Sequence, residues 1–482
     1  MRRIQAFIGI SALLVCVALA GCGNGTNQFG SQGGNNGNSS VVLAMTDSAP
    51  TGVSILSAKV TLTGATLAPG NVSLFSGQRI VELTRLQTDV AYIATATKIP
   101  AGTYTSVTLT FANPSLTIEN DTGNTIAGCA LGAICTIVRP PSTMSATVPF
   151  SSFSIASSST AGLLIDVSLD KLLNVTLGAD FSAGTSVFPF TPTGTNAPLV
   201  GAEDVVGQVT NLSASSDTFT LTNADTLPNA EATYSLKVSN SSTFFQFPTS
   251  LSCTSPTFGF ACLANNQILS VDIGIQADGS LLARNIVFED ANSSDAEVEG
   301  IVTGTNAGLS QFSIVVLTAS ATGTGLSVGG QATVQYSIST SFDVDFVHAD
   351  NSAIDASSFL SSFTGPAELV PGQQVSIRRG SSSSGSVIMA DRVRLRSSRV
   401  TGNVQSEAAP LITLNSLPLL YSKQSNVTAI QARTSTSTIY YEVNGSINST
   451  TDLTNQTVSV RGPLFNSGGN NRTLLATKVV LK

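Results

Sequence analysis

An all-β fold built from several small domains is what this sequence predicts, on three observations. Apolar and polar residues alternate with a period of two in short runs such as Lys59-Val60-Thr61-Leu62 and Val107-Thr108-Leu109-Thr110-Phe111, the pattern of half-buried strands. Turn-forming clusters punctuate the runs, among them Ala68-Pro69-Gly70-Asn71, Asn113-Pro114 and Asp121-Thr122-Gly123-Asn124. Three landmarks then recur three times in one order through the second half, as in a chain of repeated domains. Together these imply an Ig-like or prealbumin-like sandwich over residues 41–195. Three small OB-like β-barrels follow, over 203–292, 297–397 and 399–482.

The chain begins with an export signal. Arg2 and Arg3 are followed by an apolar stretch from Ala6 to Ala20 and then by Leu19-Ala20-Gly21-Cys22. A stretch of about 15 apolar residues is short for a membrane span. It fits a leader over 1–21 that is cleaved before Cys22, and an acylated Cys22 is the expected anchor in the lipid bilayer. The alternative is an ordinary secretory leader with an incidental cysteine. Residues 22–40 are dominated by Gly and Asn and form a flexible tether of roughly 20–25 Å root-mean-square span. Gly23 stands where some bacteria use aspartate for inner-membrane retention, so the expected location is the outer membrane of a bacterial envelope.

Of 482 residues only 11% are charged, while 42% are hydrophobic, a globular balance. The net charge of -7 is mildly acidic and spread thinly, which excludes general nucleic-acid binding. Six cysteines are present. Cys16 leaves with the leader, Cys22 is the lipidation site, and two close pairs remain, Cys129/Cys135 and Cys253/Cys262. Neither has metal or redox spacing, so two local disulfides are expected, with four free thiols as the alternative.

Within the sandwich, only Glu82 to Ala96 could hold a short helix, and the domain ends in a Pro/Thr/Gly-rich linker from Pro189 to Pro198. In the repeats, each opening strand carries a glycine: Val206-Gly207-Gln208-Val209, Glu299-Gly300-Ile301-Val302 and Thr401-Gly402-Asn403-Val404. A polar turn leads a later strand at Asn266-Gln267, Gly372-Gln373 and Asn455-Gln456. The closing strands share Leu282-Ala283, Met389-Ala390 and Leu475-Ala476. In the second unit, Asp355 could cap a helix running to Phe363.

The motifs Leu43-Ala44-Met45-Thr46-Asp47-Ser48-Ala49-Pro50 and Pro100-Ala101-Gly102-Thr103-Tyr104 resemble an uncharacterised β-sandwich domain family of bacterial envelope lipoproteins. The later units resemble a second uncharacterised family of small β-barrel repeats. The resemblance implies architecture and location, not an activity. By residue chemistry alone, Asp47 and Ser48 serve a turn, and Tyr104 docks its ring in the core with its hydroxyl on a backbone partner.

Candidate chemistry is sparse. The one histidine, His348, lacks the surroundings of a triad or metal site. Asp166 and Asp170 share a strand face but are spaced too widely for a tight carboxylate dyad. Asp343, Asp345 and Asp350 are weak calcium candidates, with solvated loop carboxylates as the plainer reading. No cofactor is expected. The most lopsided feature is an arginine cluster, Arg378, Arg379, Arg392, Arg394, Arg396 and Arg399. Arg392, Arg394 and Arg396 alternate with Val393 and Leu395, so one strand face is basic. That face is either ordinary barrel surface or a patch for a polyanion such as an acidic glycan. Phe244, Phe245 and Phe247 form the one aromatic cluster, which core packing also explains.

The function expected from these features is that of a non-enzymatic, membrane-anchored envelope lipoprotein. It would act in binding or assembly toward a glycan or envelope protein, with the sandwich near the membrane and three barrels in a row beyond it. The alternatives are a carboxylate-based polysaccharide-active enzyme and a passive surface spacer.

Overall fold

The structure is a computed structural model. It describes residues 39–482 apart from 49–53, 122, 127, 139–142, 175–177, 180–183, 193–200, 224–231, 240, 248–258, 291–296, 320–324, 345–361, 381–382, 384–385, 425, 443 and 445–451. The leader, Cys22 and most of the tether lie outside the described residues, as does the helix expected at Asp355. Among the described residues strands dominate, with 3-10 turns and one short helical turn at Leu169–Leu172.

The first domain is a sandwich of two sheets. One sheet orders the strands Thr185–Phe190, Thr160–Ser168, Ser39–Ser48 and Ala91–Ile99. Ser39–Ser48 runs parallel to Thr160–Ser168 and antiparallel to Ala91–Ile99. The other sheet orders Val72–Glu82, Ser54–Ala68, Gly102–Glu119 and Ile134–Val138, and Thr143–Ile155 also pairs with Gly102–Glu119. The core forms where Val41, Leu43, Met45, Leu163 and Ile165 of one sheet meet Val60, Leu62, Leu109 and Phe111 of the other, all without exposed surface. Tyr104 follows its sequence reading: the ring is buried and Oη donates to Pro100 O at 2.8 Å.

Two sequence expectations in this domain do not hold. Residues 82–96 form only a 3-10 turn at Leu83–Leu86, where Glu82 Oε1 accepts from Thr84 N and Oγ1. The chain then enters the strand Ala91–Ile99, whose β-branched residues fit a pleated, half-buried surface. Of the linker expected from Pro189 to Pro198, Pro189 and Phe190 end a strand instead, and 193–198 lie outside the described residues. Thr185–Phe190 pairs with Thr160–Ser168, and the Phe190 ring lies over Gly162, where a Cβ would come within 2.3 Å of it.

Each later unit is a closed five-stranded barrel. In the first, Gly201–Ser213 pairs with Thr218–Asn223 and with Ile268–Ile275. The barrel closes because Ala232–Lys237 runs parallel to the final strand, Leu281–Asp290. With strands counted in chain order, the circuit is 1-2-3-5-4, an OB-like order. The second unit repeats it with Glu297–Asn306, Gln311–Ala319, Gln331–Gln335, Gln374–Arg379 and Val387–Leu395. The third uses Ser397–Ala408, Leu411–Asn415, Ile430–Arg433 and Thr457–Asn466. Its last strand is split into Arg472–Leu475 and Lys478–Leu481. Closure removes free edges.

The sequence landmarks occupy equivalent places. A Cβ on Gly207, Gly300 or Gly402 would lie 2.5–2.7 Å from a carbonyl of the neighbouring strand, Thr222, Val315 or Asn415. Only glycine permits that approach. Asn266, Gly372 and Asn455 all have positive φ. Their amides donate to Val209, Val302 and Val404, and the same valines donate back to Gln267, Gln373 and Gln456. The closing alanines anchor a feature not read from the sequence. Thr243, Thr340 and Thr438 each donate to the carbonyl of Ala283, Ala390 or Ala476, while each hydroxyl accepts the amide of Ser239, Ser337 or Ser435.

The expectation of three barrels in a row beyond the sandwich is replaced by a single compact unit over 36–482. Ser39–Ser48 is buried on both faces. Val41, Leu43 and Met45 face the sandwich core, whereas Val42 packs into the first barrel's core and Ala44 packs with Tyr441 and Val480 of the third. On the other sheet, Leu56 packs with Val315 of the second barrel and Leu420 of the third. Thr117 Oγ1 donates to Gly329 O at 2.8 Å, and Leu420 N donates to Ser54 Oγ at 3.3 Å. Only Arg396 separates the last strand of the second barrel from the first strand of the third, which leaves no slack for a flexible joint.

Candidate functional site

Two features stand where the four domains meet: a buried seam of charges and a cleft beside it. The seam begins at Asp89 of the sandwich, only 3% exposed. Arg399 donates to Asp89 Oδ2 from Nε at 2.9 Å and from Nη2 as well. Lys478 Nζ reaches Asp89 Oδ1 at 3.3 Å, and Arg461 Nε lies 3.8 Å from Oδ2. All three cations belong to the third barrel. Arg399 Nη1 also donates to Gln374 Oε1 at 3.0 Å, and Gln374 Nε2 donates to Glu299 Oε1 at 2.6 Å. Glu299 lies near Arg85 of the sandwich and Arg396, each at 3.7 Å. Arg396 Nη1 then donates to Glu289 of the first barrel at 3.1 Å. Glu289 also takes Arg394 at 2.9 Å and lies 3.7 Å from Arg392, while Arg392 pairs with Glu297.

This corrects the open basic face expected from the alternation. Val387–Leu395 does place Arg392 and Arg394 on one side, but that side is an interior seam. Arg392, Arg394, Arg396 and Arg399 keep only 15%, 19%, 4% and 4% of their side-chain surface exposed. Their partners are carboxylates of this same chain. Arg378 and Arg379 end the strand Gln374–Arg379 and are half-buried. Burying charges is costly unless they are paired and hydrogen-bonded, and here Asp89, Glu289 and Glu299 each answer more than one cation. The acidic half was missed in the sequence, although a signal was present. Glu297-Val298-Glu299 alternates at the start of the second repeat, as the arginines do at its end, and Glu289 follows the apolar run Ile286-Val287-Phe288.

Backbone carbonyls of the sandwich tie down Lys482. Its Nζ donates to Asp47 O at 2.7 Å and Gln87 O at 3.0 Å. Burial lowers its pKa, against the opposing pull of Asp47 and Asp166. Asp47 Oδ1 accepts from Leu169 N, and Asp166 accepts from Ser48 Oγ. Asp47 and Asp166 are therefore engaged in packing, and Asp170 does not share the strand face expected for a dyad, because the strand ends at Ser168 and Asp170 falls on the turn Leu169–Leu172.

Other candidates fall as follows. Asp343 Oδ1 accepts from Arg394 Nε at 2.7 Å; Asp345, Asp350 and His348 lie outside the described residues, as does Cys253. Cys129 and Cys135 form a disulfide with Cα atoms 5.8 Å apart. Cys262 is disulfide-bonded and packs in the first barrel's core. Phe245 and Phe247 pack in that barrel's core, Phe247 5.7 Å from Phe288, whereas Phe244 is half exposed. Among the described residues, no cluster of three or more His, Cys, Asp or Glu could hold a metal ion, and no helix is long and apolar enough to cross a membrane.

The cleft lies between the sandwich, the first barrel and the second. Lys59, Arg79, Arg85, Tyr92, Tyr234 and Thr318 are among its walls, and its volume is about 100 Å³. A smaller cavity of about 50 Å³ lies against Arg399, Gln374 and Tyr421. The class defined by this geometry is an all-β, multidomain body: one sandwich with three OB-like barrels folded around it. No protein-family model matches the chain, and no curated protein is similar to it.

Proposed function

We propose that the protein is a non-enzymatic envelope lipoprotein, anchored through acylated Cys22, that acts as a binding or assembly module toward envelope glycans or proteins. The observation that carries this reading is the charge seam. It links all four β domains through buried ion pairs, so a site shared between domains keeps its geometry. A passive spacer has no need of such a seam, since domains in a row already give reach. The apolar run before Cys22 supports the anchor, and Gly23 supports the outer membrane. The test is membrane fractionation of cells producing the wild type and Cys22→Ser, combined with glycan and protein capture by the purified chain. Cys22→Ser should move the protein to the soluble fraction while capture persists. Unchanged outer-membrane fractionation would remove the anchor from the reading, and failure to capture any partner would remove the binding module.

A further inference from the structure

The cleft between the sandwich and the first two barrels is unusual in how its charges are spent. Its carboxylates are committed elsewhere. Glu82 takes Ala58 N, Thr84 N and Thr84 Oγ1 on Oε1, and Ser57 Oγ on Oε2. Asp89 is covered by Arg399 and Lys478. Of its cations, Arg85 faces Glu299, whereas Arg79 and Lys59 are not spent in the same way. Arg79 gives Nη2 to Ile93 O at 3.0 Å and sets its guanidinium 5.8 Å from the Tyr234 ring centre, but its Nε has no acceptor. Lys59 has no hydrogen bond, ion pair or ring contact for its side chain among the described residues. Two aromatic rings stand beside them, Tyr92 and Tyr234, 6.3 Å apart and tilted by 54°. A low-dielectric cleft with unspent cationic donors attracts an anion more strongly than open surface does. Tyr234 is buried beneath the Arg79 guanidinium, whereas the partly exposed Tyr92 ring is suited to the apolar side of a sugar. The cavity, about 100 Å³, takes an oxyanion group and part of the unit that bears it.

We propose that this cleft binds an oxyanion, the carboxylate or phosphate of an acidic envelope saccharide, between Lys59 and Arg79 with Tyr92 against the sugar. The inference rests on the reading of the chain as a binding module and names its ligand class. It also moves the polyanion site from the arginine strand, whose guanidiniums face carboxylates, to a cleft that the sequence did not disclose.

The experiment is calorimetric titration of the full chain in detergent with glucuronate, glucose 6-phosphate, inorganic phosphate and neutral glucose. Glucuronate or glucose 6-phosphate should bind and glucose should not. A stronger glucuronate response assigns the carboxylate; stronger phosphate responses assign the phosphate. Arg79→Gln and Lys59→Gln should each weaken binding about tenfold, the scale of one charge-assisted hydrogen bond, and Arg79→Lys should recover part of the loss. Lys59→Gln removes no hydrogen bond of the fold, so it remains informative if Arg79→Gln unfolds. Absence of anion binding, or binding indifferent to Lys59→Gln and to Arg79→Lys, would overturn the cleft. A glycan array on the same preparation separates the two claims. Capture of neutral glycans alone would overturn the cleft and leave the binding module standing, whereas no capture of any kind would overturn both.

Discussion

Asp89 answers three cations from a distant part of the chain, at sequence separations of 310 to 389 residues for its hydrogen-bonded partners. Such a group is costly to bury and costly to break, which ties the third barrel to one carboxylate of the sandwich. Tyr421 is a second buried group with a clear consequence. Its hydroxyl donates to Arg399 O at 3.3 Å, and burial pushes its pKa well above the usual phenol range. The unfolded chain releases this proton near about pH 10, while the folded chain keeps it. The folded state therefore binds more protons from there upward. Stability is full below about pH 10 and falls as pH rises toward the folded value. Tyr421→Phe should flatten the alkaline limb by up to about 1.4 kcal/mol per pH unit, measured as denaturant unfolding between about pH 9 and pH 11. Equal slopes in both proteins would mean the phenol ionises alike in the two states.

At the scale of the strand, the opening glycine of each repeat sets how closely the first two strands approach. A Cβ on Gly207 would sit 2.5 Å from Thr222 O, whereas one on Gly304 meets nothing nearer than 3.8 Å. Gly207→Ala should cost roughly 2 kcal/mol of stability, and Gly304→Ala should cost little, as read from chemical denaturation of each variant. Equal losses would refute close approach as the reason for the glycine. These glycines, the Asn-Gln and Gly-Gln turns and the closing alanines were readable because each acts within its own repeat, through backbone geometry that residue type alone dictates. The Ser and Thr residues around Thr340 went unread because serine and threonine fill this sequence, and nothing local marks which hydroxyl caps a turn.

For the whole molecule, the seam predicts cooperativity. Calorimetry of the wild type should show one dominant transition, because the barrels share buried charges and apolar faces with the sandwich. Asp89→Asn removes the charge that three cations face, and should split off an earlier transition from the third barrel. Separate transitions in the wild type would instead mean the domains unfold independently.

Local chemistry determined much of this protein by itself. Period-two alternation, turn residues and three recurring landmarks were enough to specify an all-β chain with a sandwich and three small barrels. The arginine alternation was enough to place those side chains on one face. What covers that face was decided by tertiary structure. Glu289 and Asp89 lie 107 and 310 residues from the arginines they meet, and no local periodicity carries such a pairing. The same holds for Val42 and Ala44, whose apolar run could be read as a buried strand but not as one packed against two different barrels. Strand and turn are set by neighbours along the chain, whereas the seam exists only where four domains close on one another and the cleft only where three of them do.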